Sequence, residues 1–338
     1  MRFPRALFIC LAGFVALTQA CPSGRAQGAL LLEDAAGFSS VLSPSGHVAL
    51  YFARICADTP TRLRRCGPGE LGTVISRYEG IKGHDWLAIP LLPHLYAIDD
   101  PLAVPSRVDH KTVAELRQTY HDAELTVLGS DVPKGGRLMP GWNQLVGMAY
   151  ERRIYAFRLE TTPEQDDGLI TRMNDSLNIS HFNFFYRNCA DFVSGILNIY
   201  FPGAFKRNIL PDAGITMPWQ SAYQLERYAR KHPELHLQLM EIPQIPGYRR
   251  ESGRSKSLAG SLVFTGDVLP LALLDPYVAA GVIVDYLIWG RYALERQHAQ
   301  VLSPKTMAIL AGSANPRLAK KTAGGEALEA NATGQAHR

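Results

Sequence analysis

The stretch Asn183-Phe184-Phe185-Tyr186-Arg187-Asn188-Cys189-Ala190-Asp191-Phe192-Val193-Ser194-Gly195-Ile196-Leu197 constrains this chain most, because it sets a single cysteine at the first turn of an apolar-faced helix. Counted from Cys189, the residues Val193, Ile196, Leu197 and Tyr200 follow at four, seven, eight and eleven positions, one helical stripe that needs a second layer to cover it. Asn188 stands where an N-cap belongs. The unbonded N–H groups at such a helix end favour an anion, which predicts a thiol pKa drawn toward neutrality and a backbone N–H able to hold an oxyanion. The same position also suits a cysteine that is only a small buried hydrophobe, so placement alone leaves nucleophile and core residue both open.

The 338 residues, 46% hydrophobic and 20% charged, have the make-up of a globular chain with room for one large domain or two modest ones. Lys+Arg of 35 against Asp+Glu of 31 leaves a net charge of +4 with no long basic block, which gives no reason to expect a nucleic-acid partner. Residues 1–20 read as an export signal: Arg2 and Arg5 precede the apolar run Leu7 to Leu17, and Thr18-Gln19-Ala20 ends in a small residue. The protein is therefore expected in the periplasm or cell envelope. Cys21 follows Ala20 directly, which leaves plain cleavage and lipidation of Cys21 as alternatives.

Beyond Cys10 inside the signal and Cys21 at its end, the globular part keeps Cys56, Cys66 and Cys189. Cys56 and Cys66 flank a polar, proline-bearing loop between two expected strands, and in an oxidising compartment they are expected to pair. That pairing leaves Cys189 odd, as a reactive thiol would be.

A thiol nucleophile needs a base. Gly46-His47 opens the strand-like run Val48-Ala49-Leu50-Tyr51-Phe52-Ala53, where the glycine lets another element approach the backbone of the histidine. Leu71 to Tyr78 and His84 to Pro90 read as neighbouring strands, so an orienting group for His47 is expected from Glu79, His84 or Asp85. A loop histidine without a role is the plainer reading of His47 taken alone. Val113 to Tyr120 has helical spacing, Ser130 to Gly141 reads as an exposed loop, and Arg153 to Glu160 alternates as a half-buried strand. Thr162, Pro163 and Gln165 mark the start of a helix whose stripe is Leu169, Ile170, Met173 and Leu177.

The order Gly46-His47-Val48-Ala49-Leu50, then Ile75-Ser76-Arg77-Tyr78-Glu79-Gly80, then Phe157 to Gln165, then Phe184 to Phe192 resembles the amino-terminal periplasmic domain family of bacterial lipoprotein N-acyltransferase B. That family is similar to the circularly permuted NlpC-like papain fold that includes lecithin:retinol acyltransferase, in which the histidine strand precedes the cysteine helix. The resemblance covers about residues 40 to 205. It implies thiol chemistry on an acyl group, with Cys189 matching the nucleophile and His47 the general base, and no position matching a third member. The Cys189 N–H would then hold the oxyanion, and Tyr186 either adds its hydroxyl or is a core aromatic.

After Phe205, Pro211 to Pro218 reads as a turn-rich link and Ser221 to Lys231 as an amphipathic helix. In His232-Pro233-Glu234-Leu235-His236 the proline places His232 outside any following helix and no third ligand is evident, so neither a metal nor a cofactor is expected. Gly247 to Lys256, with Arg249, Arg250 and Arg254, is either a solvated loop or a contact for anionic headgroups. Leu258 to Arg291 is strongly apolar but broken by Asp267, Pro270, Asp275, Pro276 and Asp285, too interrupted to span a bilayer. It reads as two helices packed on the domain or as a surface that docks on a membrane.

The expected architecture is α+β: a circularly permuted papain-like (NlpC-type) domain over 28–210, with an antiparallel sheet and a cysteine-bearing helix. A helical extension over 211–302 and a disordered tail over 303–338 follow. The expected function is an exported Cys/His acyl hydrolase or acyltransferase acting on an acyl-bearing lipid, a lipoprotein or a cell-wall peptide. A cell-wall peptidase or amidase, and an envelope-binding module without turnover, are the alternatives.

Overall fold

Three consecutive leucines, Leu30, Leu31 and Leu32, sit in the middle of the principal sheet, all fully buried. They belong to β1 (Ala26–Glu33), and the chain continues through β2 (His47–Phe52), the hairpin β3 (Ile55–Thr59) and β4 (Arg62–Arg65), then β5 (Thr73–Ser76) and β6 (Leu87–Pro90). Helices α1 (Leu91–Tyr96) and α2 (His110–Tyr120) precede β7 (Ile154–Thr161), which is followed by α3 (Pro163–Asp175), α4 (Cys189–Tyr200) and α5 (Pro218–Ala229). Strand β8 (Gln238–Ile242), helices α6 (Leu258–Thr265), α7 (Val268–Leu274) and α8 (Pro276–Asp285), and strand β9 (Gln300–Val301) complete the order. The structure, a computed structural model, describes residues 26–36, 45–78, 81–129, 142–207, 211–265, 268–290 and 299–311.

Seven strands form one sheet in the order β6-β5-β2-β1-β7-β8-β9, and β3-β4 form a separate two-stranded ribbon. Every pairing is antiparallel except β8 with β9. The alternation of side chains across the pleat divides the core into two layers. Leu30, Leu32, Val48, Leu50, Ile75 and Phe157 face Leu169 of α3, Val193 and Leu197 of α4, and Leu225 of α5. Leu31, Ala49, Tyr51, Val74 and Ala156 face Leu91 and Leu95 of α1 and Val113 of α2. Each buried Val, Leu, Ile or Phe among these contributes roughly 1.5 to 3 kcal/mol by leaving water, so the central strands are held from both sides.

This two-sided cover accounts for several departures from the pattern reading. Strand β7 was expected to be half-buried, yet Ile154 and Ala156 are as buried as Tyr155 and Phe157, because α1 covers the face the alternation assigns to solvent. The connection between Cys56 and Cys66 is not an open loop but the β3–β4 hairpin. Helix α3 begins as expected, with Thr162 and Gln165 forming a capping box, but stops at Asp175 and leaves Leu177 85% exposed.

The segment 211–302 is not purely helical. Strand β8 hydrogen-bonds to β7, and β9 to β8, so the segment enlarges the principal sheet instead of adding a separate layer. Residues 303–311 were expected to be disordered, but Met307, Leu310 and Ala311 are buried against the α1 side of the core. The apolar stretch beginning at Leu258 forms three short helices. Leu258 of α6 packs near Trp219 and Met217, whereas at the α7–α8 turn Leu273, Leu274 and Tyr277 are 89%, 84% and 87% exposed. No helix among the described residues is long and apolar enough to cross a membrane. The export signal, Cys10, Cys21, the Ser130 to Gly141 loop, and the chain beyond 311 lie outside the described residues.

Candidate functional site

Helix α4 starts where its sequence predicts. The Asn188 side chain accepts from the N–H groups of Ala190 and Asp191, and the Asp191 carboxylate accepts from the Asn188 N–H in return. The amide of Asn188 also donates to the carbonyls of Phe184 and Thr216, which ties the preceding aromatic loop to the entry of α5. Cys189 is thus the first helical residue on a rigid mount, and it is the free cysteine among the described residues.

The helix end meets the sheet where β2 and β5 part. Their ladder runs from Phe52↔Thr73 to Leu50↔Ile75 and goes no further toward His47. Beyond that point Val48 turns its N–H to the Cys189 sulfur, and its carbonyl accepts from Ser76 Oγ at 2.9 Å. The thiol therefore fills the fork between the two strands.

His47 stands one residue from Val48, with Nε2 at 2.9 Å from Ser76 Oγ. A serine hydroxyl has one hydrogen, and this one is directed at the Val48 carbonyl, so Ser76 Oγ must accept from His47. The hydrogen-bond pattern assigns the proton to Nε2 and leaves Nδ1 as the basic nitrogen. Tyr78 stacks on the imidazole with ring centroids 5.3 Å apart and fixes the plane of the ring. Gly46, at φ +87°, admits the close backbone of β1: a Cβ there would come within 2.4 Å of the Glu33 carbonyl.

Beside His47 in the β1–β2 register lies Glu33, fully buried. Its Oε1 is 3.2 Å from His94 Nε2, and its Oε2 is 3.8 Å from Arg152. Burial alone would raise this carboxyl, but the positive charge available on His47, the His94 hydrogen bond and Arg152 hold it down at about 2. For His47, burial pushes the imidazole down to about 4 against the opposing pull of Glu33. Burial also pushes the Cys189 thiol up to about 11; the N–H groups of Val48 and Ala190 work against this and the Glu33 charge adds to it. The expected drop of the thiol toward neutrality is corrected here, because loss of water around the sulfur outweighs the helix end. At neutral pH the resting pair is thiol and neutral imidazole, with a carboxylate alongside.

The other expected site residues fall elsewhere. Asp85 bonds Arg77 at 2.6 Å and Arg187 at 3.4 Å, while Arg77 also reaches the Asn188 carbonyl and covers the Phe192 ring. Asp85 thus braces the helix entrance and does not orient His47. His84 has no side-chain partner among the described residues, and Glu79 lies outside them. Tyr186 is 68% exposed with Arg207 over its ring, whereas Cys189 is half-buried. With Phe184 and Phe185, 48% and 54% exposed, it forms an aromatic ledge immediately upstream of the cysteine.

Cys56 and Cys66 form a disulfide, as expected from their spacing. His232 and His236 turn to separate carboxylates, Glu234 and Glu160, and do not converge.

Two members of the site escaped the pattern reading. Glu33 closes a run of apolar residues, Ala29 to Leu32, that reads as a strand once both faces are allowed to be buried; an acidic residue ending such a run was the available signal. Ser76 lies inside the expected strand, and only the register of β5 reveals its contact with His47.

No family model matches the chain, and neither does any curated protein. Among solved structures, a type VI secretion system effector, TseH, is similar at 14% sequence identity and a TM-score of 0.30, over 66% of this chain and 95% of the effector. A likeness that distant assigns neither fold nor chemistry. What stands on this chain's own residues is an α+β protein whose free cysteine opens a helix at a strand fork and meets the N–H of Val48, the residue that follows the buried His47.

Proposed function

We propose that the protein is a cysteine-dependent acyl hydrolase or acyltransferase of the permuted papain-like type, carrying its acyl group as a thioester on Cys189. One observation carries this reading: the Cys189 sulfur meets the Val48 N–H, and the residue next to Val48 in the chain is the Ser76-held His47. The motif resemblance to the lipoprotein N-acyltransferase B domain family supports the same two roles.

Because the resting pair is neutral, the proton leaves as the sulfur attacks. His47 Nδ1 takes the Sγ proton while the S–C bond forms to the acyl carbonyl carbon, and the carbonyl electrons move onto oxygen. The Cys189 N–H, which has no acceptor among the described residues, is available to that oxyanion. Collapse breaks the bond to the leaving alcohol or amine, which takes the proton from the imidazolium. Water or an amine then attacks the thioester through the same base and releases the thiol. Glu33 is a positioning and counter-charge residue: it lies against the imidazolium that forms transiently.

The aromatic ledge of Phe184, Phe185 and Tyr186 suits an apolar acyl chain approaching Cys189. Export and peripheral membrane contact belong to the same proposal. They are supported by the apolar, arginine-flanked N-terminal stretch and by the α7–α8 turn, where Leu273, Leu274 and Tyr277 are exposed around the capping Asp275. Intact-mass measurement after incubation with phospholipid, with a lipopeptide and with muropeptides tests the reading. An acyl mass on wild type that is absent from Cys189→Ala, and that forms more slowly in Ser76→Ala by about tenfold, is expected from a lipid or lipopeptide. An adduct from muropeptides alone would point instead to the peptidase reading, and no Cys189-dependent adduct from any donor would overturn the thiol chemistry.

A further inference from the structure

A concave site lined by neither Cys189 nor His47 lies beside α5. It is a cavity of about 440 Å³ between α5 and the loop that follows α4, within the range of roughly 300 to 1,000 Å³ typical of small-ligand sites. On the α5 side, Tyr223, Arg227, Tyr228 and Lys231 recur at helical spacing and present one stripe to the cavity; Lys206 and Arg207 stand on the loop side. The lining therefore holds four cationic side chains and no carboxylate.

The state of those cations decides what the cavity is for. Arg207 is committed: it donates to the carbonyls of Gly214 and Phe185 and stands 3.7 Å from Asp191. Lys206, Arg227 and Lys231 have no side-chain partner among the described residues. The nearest buried acid, Asp212, lies behind the wall with its carboxylate held by Trp219 Nε1, Gln220 Nε2 and the Ala259 N–H, so it does not neutralise the opening. Three uncompensated cations around one concavity repel one another, which a structural role would not require. Tyr228 is stacked on one face by His232 at 4.1 Å, and both tyrosines are half-buried, giving rigid apolar walls between the charges.

We propose that this cavity binds an organic phosphate, its phosphate oxygens on Arg227, Lys231 and Lys206 and its carbon skeleton against Tyr223 and Tyr228. Such a group is borne by soluble phosphate esters and by phospholipid headgroups alike. The site goes beyond the thiol chemistry and does not rest on it.

Calorimetric titration of the full chain with pyrophosphate and with glycerol phosphate tests this, alongside co-sedimentation with phosphatidylglycerol vesicles, at low and high salt. Arg227→Gln and Lys231→Gln are the informative variants, since both side chains are exposed and their loss leaves the core intact. Each is expected to weaken binding by about tenfold, the scale of one charge-assisted hydrogen bond, and added salt is expected to weaken wild type more than the double variant. Cys189→Ala is expected to bind as wild type does. Binding of the free esters with this dependence identifies a soluble ligand, and dependence seen with vesicles alone identifies a headgroup. Equal binding of wild type and the Arg227→Gln/Lys231→Gln double variant in every arm overturns the proposal.

Discussion

At Cys189, two opposing effects act on one sulfur: the helix end and the Val48 N–H stabilise the thiolate, while burial and the Glu33 charge destabilise it, and burial prevails. The consequence is measurable. Alkylation of Cys189 by iodoacetamide should rise with pH along a curve whose inflection lies near 11, whereas a preformed thiolate–imidazolium pair would already react fully at neutral pH. Glu33→Gln separates the two roles that the carboxylate plays. Removing the charge lets the thiol ionise more readily and deprives the imidazolium of its neighbour, so alkylation should quicken while acyl-thioester formation slows by about tenfold or more. A melting curve distinguishes this from simple unfolding, and a Glu33→Gln variant that slows both reactions equally would remove Glu33 from the site. Ser76 acts differently, through the tautomer: without its hydroxyl acceptor His47 loses the bond that holds the proton on Nε2.

The hairpin β3–β4 shows what an element gains from a crosslink. Cys56 and Cys66 are ten residues apart with Cα atoms separated by 4.9 Å. The hairpin is also docked on α3, where the Asn174 side chain bonds both the N–H and the carbonyl of Leu63 and Asp167 pairs with Arg65. Replacing both cysteines with serine should lower stability by roughly 2 to 3 kcal/mol, the entropy returned to so short an unfolded loop. Chemical denaturation should show this as a lower midpoint with acyl-thioester formation retained, because the fork that holds Cys189 is built by β2 and β5.

Elements like these were legible to the extent that their signals are local. The Asn188 and Thr162 caps, the stripe of α4 and the start of β2 at His47 are written in adjacent residues and fold as they read. Strand β1 was not, since Leu30, Leu31 and Leu32 give no alternation when both faces of a strand are covered. The partner of His47 was not legible either, because it depends on where a ladder ends, and nothing in the spacing of Ser76, His84 and Asp85 fixes that.

Across the whole molecule, the sheet connects segments that the linear order separates: β1 comes from the first described residues and β9 from near the last, and the thiol fork lies between β2 and β5. One feature stays outside this scaffold. Helix α7 exposes Leu269 and Leu273 on one face and Leu274 about 100° round the helix from Leu273, and the turn into α8 adds Tyr277 beside the capping Asp275. A protein groove would cover one side of such a hairpin and leave the other wet, whereas a bilayer interface covers its tip from every side. The preceding segment brings Arg249, Arg250 and Arg254, whose charges complement an anionic headgroup layer. Full-length protein should therefore float with phosphatidylcholine vesicles at high salt, where attraction to headgroup charge is screened but apolar burial is not. A Leu273→Asp/Leu274→Asp variant should stay at the bottom of the gradient while keeping Cys189 alkylation unchanged; flotation equal to wild type would remove the hairpin as the membrane contact. The salt setting keeps this apart from the phosphate cavity, since the cations there lose their hold under the same conditions.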